Sequence, residues 1–286
     1  RPCPLGERRR GVPMTVKGLG LVSTECGTST STADERIEIL GVPVSLVDMN
    51  AVVDAIIQMP NTDGAGMVFV REVASLMLAA DDDLLRGLHH QAFLVVPDGM
   101  PLVWIGRLRG HGDRIGRVAG ADLLDEICRA TLETGQSHYF FGGKPGVAEN
   151  LARRLCDRHR GLNVVGSYCP PMREIDHGFE LTGEALDEVE RVRHLKPDFV
   201  WVGISSPKQE FWMAKAAPAI GRGVFLGVGA AFDFHSGAVK RAPRWMQRSG
   251  LEWLHRLASD PRRLWRRYLV LAPQFAFRAF FEDYKR

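Results

Sequence analysis

"DFVWVGI" at residues 198–204 runs directly into "SSPKQEFWMAKAA" at residues 205–217. An apolar, β-branched run of strand length gives way at Pro207 to a helical pattern, with hydroxyls and charges at the junction. The same unit recurs along the chain. "GMVFV" leads to "VASLMLAA", "AFLVVP" to "MPLVWIGRL", "SHYFFGG" to "GVAENLARRL" and "NVVGSY" to "ALDEVERVRHL", while "GVFLGVG" leads to a turn-rich stretch where a helix would be expected. Short apolar strands alternating with amphipathic helices predict an α/β domain: a Rossmann-like open, mainly parallel sheet with helices on both faces. Ahead of it, "RIEILGVPVSLV" reads as two short strands around Gly41 and Pro43, and "DMNAVVDAIIQM" as a helix capped by Asp48.

Three segments are expected. Residues 1–33, rich in Gly, Ser, Thr and Arg without a hydrophobic period, read as a flexible lead-in; 34–243 form the α/β domain; 244–286 form a basic, Trp-rich helical appendage. The chain's 286 residues, 45% hydrophobic and 25% charged, suit a soluble globular protein with room for a sizeable core. Five cysteines (Cys3, Cys26, Cys128, Cys156 and Cys169) without C-x-x-C spacing argue against a disulfide framework or structural zinc and for a reducing compartment. No apolar run reaches the ~18–20 residues of a membrane helix, and the first residues lack the core of a signal peptide. The net charge of +3 is uneven: between Lys240 and Arg267 nine basic residues face two acidic ones, so +7 falls there and −4 on the remainder.

Ligands of such sheets sit at the C-terminal strand ends. There Gly142, Gly143 and Gly146 suit either an approach of backbone N–H groups to a diphosphate or a tight turn needing positive φ. The run is not G-x-G-x-x-G, and no acid ends the following "NVVGSY", so a dinucleotide fingerprint is missing. Beyond Gly203, the cluster Ser205, Ser206, Lys208, Gln209 and Glu210 could hold a base and phosphates or form a capping box on Ser206. Gly227 and Gly229 permit close backbone approach, with Asp233 and Arg241 following. In "PDGMPLVW" Asp98, followed by Gly99, is a general base, a ribose or metal ligand, or the acid opening a turn; spacing alone favours the turn. Arg117 suits a phosphate, and Asp122 reads as a helix cap. Asp81 and Asp83 make a D-x-D, but helix N-capping explains the triplet, and no H-x-x-x-H pair occurs; no metal and no cofactor are expected.

The segment from residue 240 holds three of the six tryptophans interleaved with arginines. It suits an anionic membrane surface, on which Leu269 to Phe281 would lie; the alternative packs Trp253, Leu257 and Leu264 on the core with the arginines solvated. No nucleic-acid motif accompanies the basic patch, so no nucleic acid is expected.

Taken together, "PDGMPLVW", "RVAGADLL", "YFFGGKPGVAENLARRL", "PDFVWVGISSPKQEFW" and "GVGAAFDFHSGAVKRAPRWMQRSGLEWLHRL" resemble the TagA/WecG/CpsF glycosyltransferases, glycosyltransferase family 26, from about Ile37 to Tyr268. The resemblance implies an inverting, metal-independent transfer from a UDP-sugar to a polyprenyl-diphosphate-linked sugar at the cytoplasmic membrane face. N-acetylmannosamine is the commonest donor sugar in such proteins, with glucose or other hexoses in exopolysaccharide relatives. It implies that Asp98 is the catalytic base and that Arg117, Gln209 and the appendage arginines contact donor or diphosphate. One departure stands out: where the resemblance leads one to expect T-x-N-x-E, this chain has "VREVA", with Val70 and Glu72 at the Thr and Asn positions. A donor other than UDP-N-acetylmannosamine is thereby favoured. The expected place is the cytoplasm, peripheral on the inner membrane face, and a homo-oligomer is allowed for. Competing readings are a nucleotide-dependent oxidoreductase and a non-catalytic scaffold of polysaccharide assembly.

Overall fold

A computed structural model describes residues 35–62 and 64–285; the expected lead-in, 1–33, lies outside the described residues. In chain order the elements are β1 (Arg36–Ile39), β2 (Val42–Ser45), α1 (Met49–Gln58), β3 (Gly64–Arg71), α2 (Val73–Asp81), α3 (Asp83–Gln91), β4 (Leu94–Pro97), α4 (Met100–Leu108) and α5 (Gly120–Ala130). They continue with β5 (Ser137–Gly142), α6 (Val147–Arg158), β6 (Asn163–Tyr168), α7 (Glu184–Leu195), β7 (Phe199–Gly203), α8 (Lys208–Ile220), β8 (Arg222–Gly227) and α9 (Ala231–Ser236). The C-terminal segment adds α10 (Arg244–Arg248), α11 (Glu252–Ser259), α12 (Pro261–Trp265), a π-helical turn (Arg266–Leu271) and α13 (Ala272–Lys285).

Six strands form one sheet in the order β4-β3-β8-β7-β5-β6. Every pairing in it is parallel. Alternation along the strands divides the core in two. Phe69, Val95, Tyr139, Phe141, Val200, Val202 and Phe225 face one way, onto α2, α3, α4, α7 and α8. Their neighbours Val68, Leu94, Val96, Phe140, Phe199, Trp201, Val224 and Leu226 face the other, onto α1, α5, α6 and α9. A sheet buried on both faces is what the near-continuous apolar runs require, so the expected doubly covered α/β architecture is the one observed.

Two local readings need correction. The first strands form a separate antiparallel pair whose turn is Leu40–Gly41, both at positive φ; Pro43 lies within β2, opposite Glu38. Beyond β8 the chain does form a helix, α9, although it is only six residues long. Its brevity and its Gly237 stop hid it from a periodicity argument. Two of the expected acidic caps form. The Asp48 carboxylate accepts from Ala51 N at 2.9 Å, and Asp82, the middle acid of its triplet, accepts from Leu85 N at 3.0 Å to start α3.

The C-terminal segment belongs to the same compact unit as the sheet. Phe275 and Ala279 of α13 are buried in the first core face, and Leu264 of α12 is buried too. Trp253, expected to pack inward in one reading, is exposed, as are Trp245, Trp265, Leu269, Phe277 and Phe280. Its arginines are only partly solvated: Arg278 pairs with Asp81 at 2.7 Å, and Arg267 pairs with Glu72. Among the described residues no helix is long and apolar enough to cross a membrane.

Candidate active site

The carboxylate that closes β4 sits in a clamped connection. Asp98 N donates to Arg71 O at 2.8 Å and Val118 N to Pro97 O at 2.9 Å, so the loop is tied to the end of β3 on one side and to the approach to α5 on the other. Gly99 then caps α4, in an extended conformation, with Pro101 in the first turn. The link is a two-residue strand-to-helix connection at the C-terminal edge of the sheet.

Asp98 heads a chain of alternating charges. Its carboxylate lies 3.6 Å from Arg117, which also donates from Nε to the Asp98 carbonyl at 2.9 Å. The nitrogen nearest the Asp98 carboxylate, Nη2, also donates to Glu252 Oε2 at 2.8 Å, and Glu252 Oε1 takes Arg241 Nε at 3.0 Å. Arg241 grips both oxygens of Asp122. Asp122 therefore serves as an ion-pair partner in the first turn of α5, whose cap position is Ala119, correcting the cap reading. An acid there also complements the helix dipole.

These neighbours set the protonation of the carboxylates. The Asp98 carboxyl is 29% exposed, yet desolvation by the surrounding protein dominates and raises its pKa. Arg117 and Arg256 oppose the rise, while Glu252 and Glu72 add to it. At Glu252 burial also works upward, but hydrogen bonds and charge from Arg241 and Arg117 outweigh it and leave the group below its ordinary value. Glu72 is likewise lowered against the pull of burial, chiefly by Arg267 and by the amides of Ala74 and Ser75.

The two positions that depart from T-x-N are occupied with structural work. Val70 packs in the second core face, with its Cγ1 3.5 Å from where a Cβ on Gly120 would stand. Glu72 caps α2, accepting from Ala74 N at 3.0 Å and Ser75 N at 2.9 Å, and meets Arg267 from the π-helical turn. The site edge at β3 is thus apolar at 70 and anionic at 72.

Along the rest of the edge, glycines fit against protein. Gly142 (φ +131) and Gly143 (φ +77) both require the left-handed side of the map. A Cβ on Gly142 would sit 2.6 Å from Gly203, one on Gly203 would meet the Phe232 ring at 2.6 Å, and one on Gly143 would meet Val147 at 2.7 Å. Gly143 N also donates to Gly203 O at 2.9 Å, so tight turn and close packing account for these three.

At the start of α8 the capping box on Ser206 does not form. The cap position is Pro207, and the Ser206 hydroxyl donates to the Glu210 carboxylate at 3.0 Å instead. Glu210 is fully buried against Arg71. Lys208 reaches sideways, donating to Arg173 O at 2.8 Å. Gln209 lies over the Gly227–Gly229 turn, its amide nitrogen 2.9 Å from a Cβ built on Gly227.

Asp233 lines a cavity of about 220 Å³ between α9 and α11–α12, together with Lys240, His255, Arg256 and Arg263. Arg256 links this cavity to Asp98, on which its charge acts. The turn before α11 closes the other side: a Cβ on Gly250 would touch Met100, at the start of α4, at 3.5 Å. The D-x-D acids face elsewhere, Asp81 toward Arg278 and Asp83 toward Arg86.

Two residues of this constellation escaped sequence reasoning, Arg71 and Glu252, while Arg256 and Arg267 were covered only collectively, as appendage arginines. Both of the missed residues carried a usable signal. Arg71 ends an apolar strand on a charge just as Asp98 does, and Glu252 is one of only two acids in the arginine-rich run. A carboxylate beside cations at the ligand edge of a parallel sheet, with a basic cavity next to it, suits proton removal from a hydroxyl near an anionic leaving group. The sequence model for the Glycosyl transferase WecG/TagA/CpsF family matches residues 37–286 and takes in every element from the first hairpin to the last helix, so the chain belongs to that glycosyltransferase family of cell-surface polysaccharide synthesis.

Proposed function

We propose that this protein is an inverting glycosyltransferase that moves a hexose or N-acetylhexosamine, N-acetylmannosamine or glucose foremost, from a UDP-sugar to a polyprenyl-diphosphate-linked sugar. The observation that carries the reading is Asp98 itself: a carboxylate at the sheet's ligand edge, 3.6 Å from Arg117 and beside a cavity lined by Lys240, Arg256 and Arg263. In the reaction Asp98 takes the proton of the acceptor hydroxyl. The acceptor oxygen bonds to the anomeric carbon from the face opposite the UDP, and the bond to the β-phosphate oxygen breaks with its electron pair leaving on UDP. Configuration inverts in that single displacement. Cations of the cavity neutralise the charge that develops on the diphosphate. Burial raises the pKa of Asp98, which makes its carboxylate more basic than that of an ordinary aspartate.

The acceptor's lipid gives the exposed aromatic residues a role. On α13, Phe275 and Ala279 face the core while Phe277, Phe280 and Phe281 are exposed, and Trp265 and Leu269 are exposed on the preceding turns.

 The exposed set includes Trp245, Trp253, Leu254, Trp265, Leu269, Phe277, Phe280 and Phe281, interleaved with Arg262, Arg263 and Arg266. Rings at the interface with guanidinium groups meeting phosphates are the chemistry of an anionic bilayer surface. Trp104 and Leu108 of α4 are exposed as well, and Arg109 at the end of that helix pairs with Glu282 of α13 at 3.5 Å.

The test is a screen of UDP-sugars against a polyprenyl-diphosphate-sugar acceptor, with product followed by chromatography. Transfer from at least one donor is expected; no transfer and no donor hydrolysis across the panel would sink the assignment. For the membrane part, Phe277→Ser/Phe280→Ser alters only the outer face of α13. Loss of sedimentation with anionic liposomes is expected, and undiminished sedimentation would remove the anchoring role.

A further inference from the structure

The end of β3 carries a charged side chain with no exposure at all. Arg71 and its partner Glu210 are both 0% exposed. Arg71 also donates to Ser206 Oγ at 2.9 Å, and the Ser206 hydroxyl donates to Glu210 Oε2 at 3.0 Å. Gln209 Nε2 donates to Glu210 Oε1 at 3.0 Å. A buried ion pair seldom stabilises a fold more than apolar groups of the same size would, because desolvation offsets the Coulomb attraction. This pair is not even complete, since Arg71 Nε has no hydrogen-bond partner among the described residues.

What the pair does impose is an orientation. A carboxylate only accepts hydrogen bonds, so the Gln209 amide has to turn its nitrogen to Glu210. Its oxygen then points the other way, toward the turn at the end of β8, 3.8 Å from where a Cβ on Gly229 would stand. There Oε1 is buried without a hydrogen-bond partner among the described residues, on a residue only 3% exposed. Arg71 meanwhile receives the Asp98 N–H on its own carbonyl at 2.8 Å. One residue thus braces the base loop with its backbone and the amide with its side chain.

We propose that Arg71 and Glu210 are positioning residues that lock the Gln209 amide in one orientation, so that its oxygen accepts a hydrogen bond from an N–H or O–H of the nucleotide-sugar donor. The proposal rests on the glycosyltransferase reading above. It moves Glu210 from a direct substrate contact to a support behind one, and it makes Arg71 part of the donor site without touching the donor.

The double variant Arg71→Met/Glu210→Gln removes both buried charges together and puts an amide where the carboxylate was, which frees Gln209 to turn over. Arg71→Lys keeps the Glu210 carboxylate paired, and with it the orientation. Binding of UDP, UDP-glucose and UDP-N-acetylmannosamine is measured by calorimetry, with thermal unfolding on the same preparations. Expected for the double variant is a loss of about tenfold in affinity for the donors the wild type binds, with the unfolding midpoint held or raised. Arg71→Lys should recover most of that affinity even where its midpoint falls. Unchanged affinity in the double variant, or affinity that simply tracks the midpoint across both variants, would overturn the proposal. A wild type that binds none of the three ligands would overturn the UDP-sugar reading, and this assignment with it.

Discussion

The ligand edge of the sheet is built by opposite means at its two ends. Around β3 and β4 it is made of charge: Asp98, Arg117, Glu252, Arg241 and Asp122 in succession, with Glu72 and Arg267 alongside. Around β5 and β7 it is made of missing side chains: Gly142, Gly143 and Gly203 pressed against one another, Val147 and Phe232. The first end holds groups that can react and be neutralised; the second holds a backbone shape. Sequence motifs at the two ends look equally functional, yet the glycines are required by packing, whereas the charges are costly to gather and are not explained by packing.

The largest way to break this contrast is at the charged end. Asp98→Asn keeps the shape and removes the base, so turnover should fall by about 10²–10⁴-fold while UDP-sugar binding persists; transfer at the wild-type rate would strip Asp98 of its role. At the glycine end, Gly142→Ala forces a Cβ into Gly203 at a positive φ and should cost ~3 kcal/mol in denaturant unfolding. A variant as stable as the parent would mean that the close approach of β5 and β7 relaxes freely.

Acid separates the two ends further. His138, on the strand that ends in Gly142, accepts from Trp201 Nε1 at 3.1 Å through Nδ1 and so is held neutral, its pKa lowered by burial to about 4. A histidine that binds its proton less readily when folded contributes stability that is full above the unfolded value, ~6.5, and is lost as pH falls toward the folded one. Roughly 3 kcal/mol should disappear between pH 6.5 and 4, and His138→Asn should flatten that slope in pH-dependent unfolding. Asp98 has the opposite sign: its raised pKa favours the protonated folded form, so acid removes activity there, not stability, and the acid limb of kcat/KM should lie above the ordinary aspartate range. The smallest effect concerns Glu252→Gln. Removing that negative neighbour lets Arg117 act on Asp98 more fully, and the acid limb should move to lower pH by a fraction of a unit; a move upward would contradict the charge chain.

Much of the architecture was legible because it is local. Strand and helix periods, the Asp48 cap and the central acid of the 81–83 triplet all depend on residues within a few positions of one another. The doubly covered sheet followed from apolar runs too uniform for a one-sided strand. The site was legible only in part. Asp122 looked like a cap because its partner, Arg241, lies 119 residues away, and Arg71 and Glu210 are separated by 139. Ser206 looked like a cap as well, until the buried guanidinium claimed the carboxylate beside it. Spacing along a chain carries no information about pairs that only the sheet order brings together. Asp98 itself is ambiguous by spacing and is read as a base only through the resemblance, with its surroundings of Arg117, Glu252 and Arg256 visible only in three dimensions.

The first hairpin and the last helix share a fastening: Leu40 N–H donates to Glu282 at 2.8 Å, while Phe275 and Ala279 sit in the same core face as Ile37 and Ile39. During vectorial synthesis that face therefore stays open until residue 282 has left the ribosome, although the opposite face is complete once Phe232 has emerged. One side of the sheet is ready to fold early, and the side that α13 covers must wait until that helix has emerged.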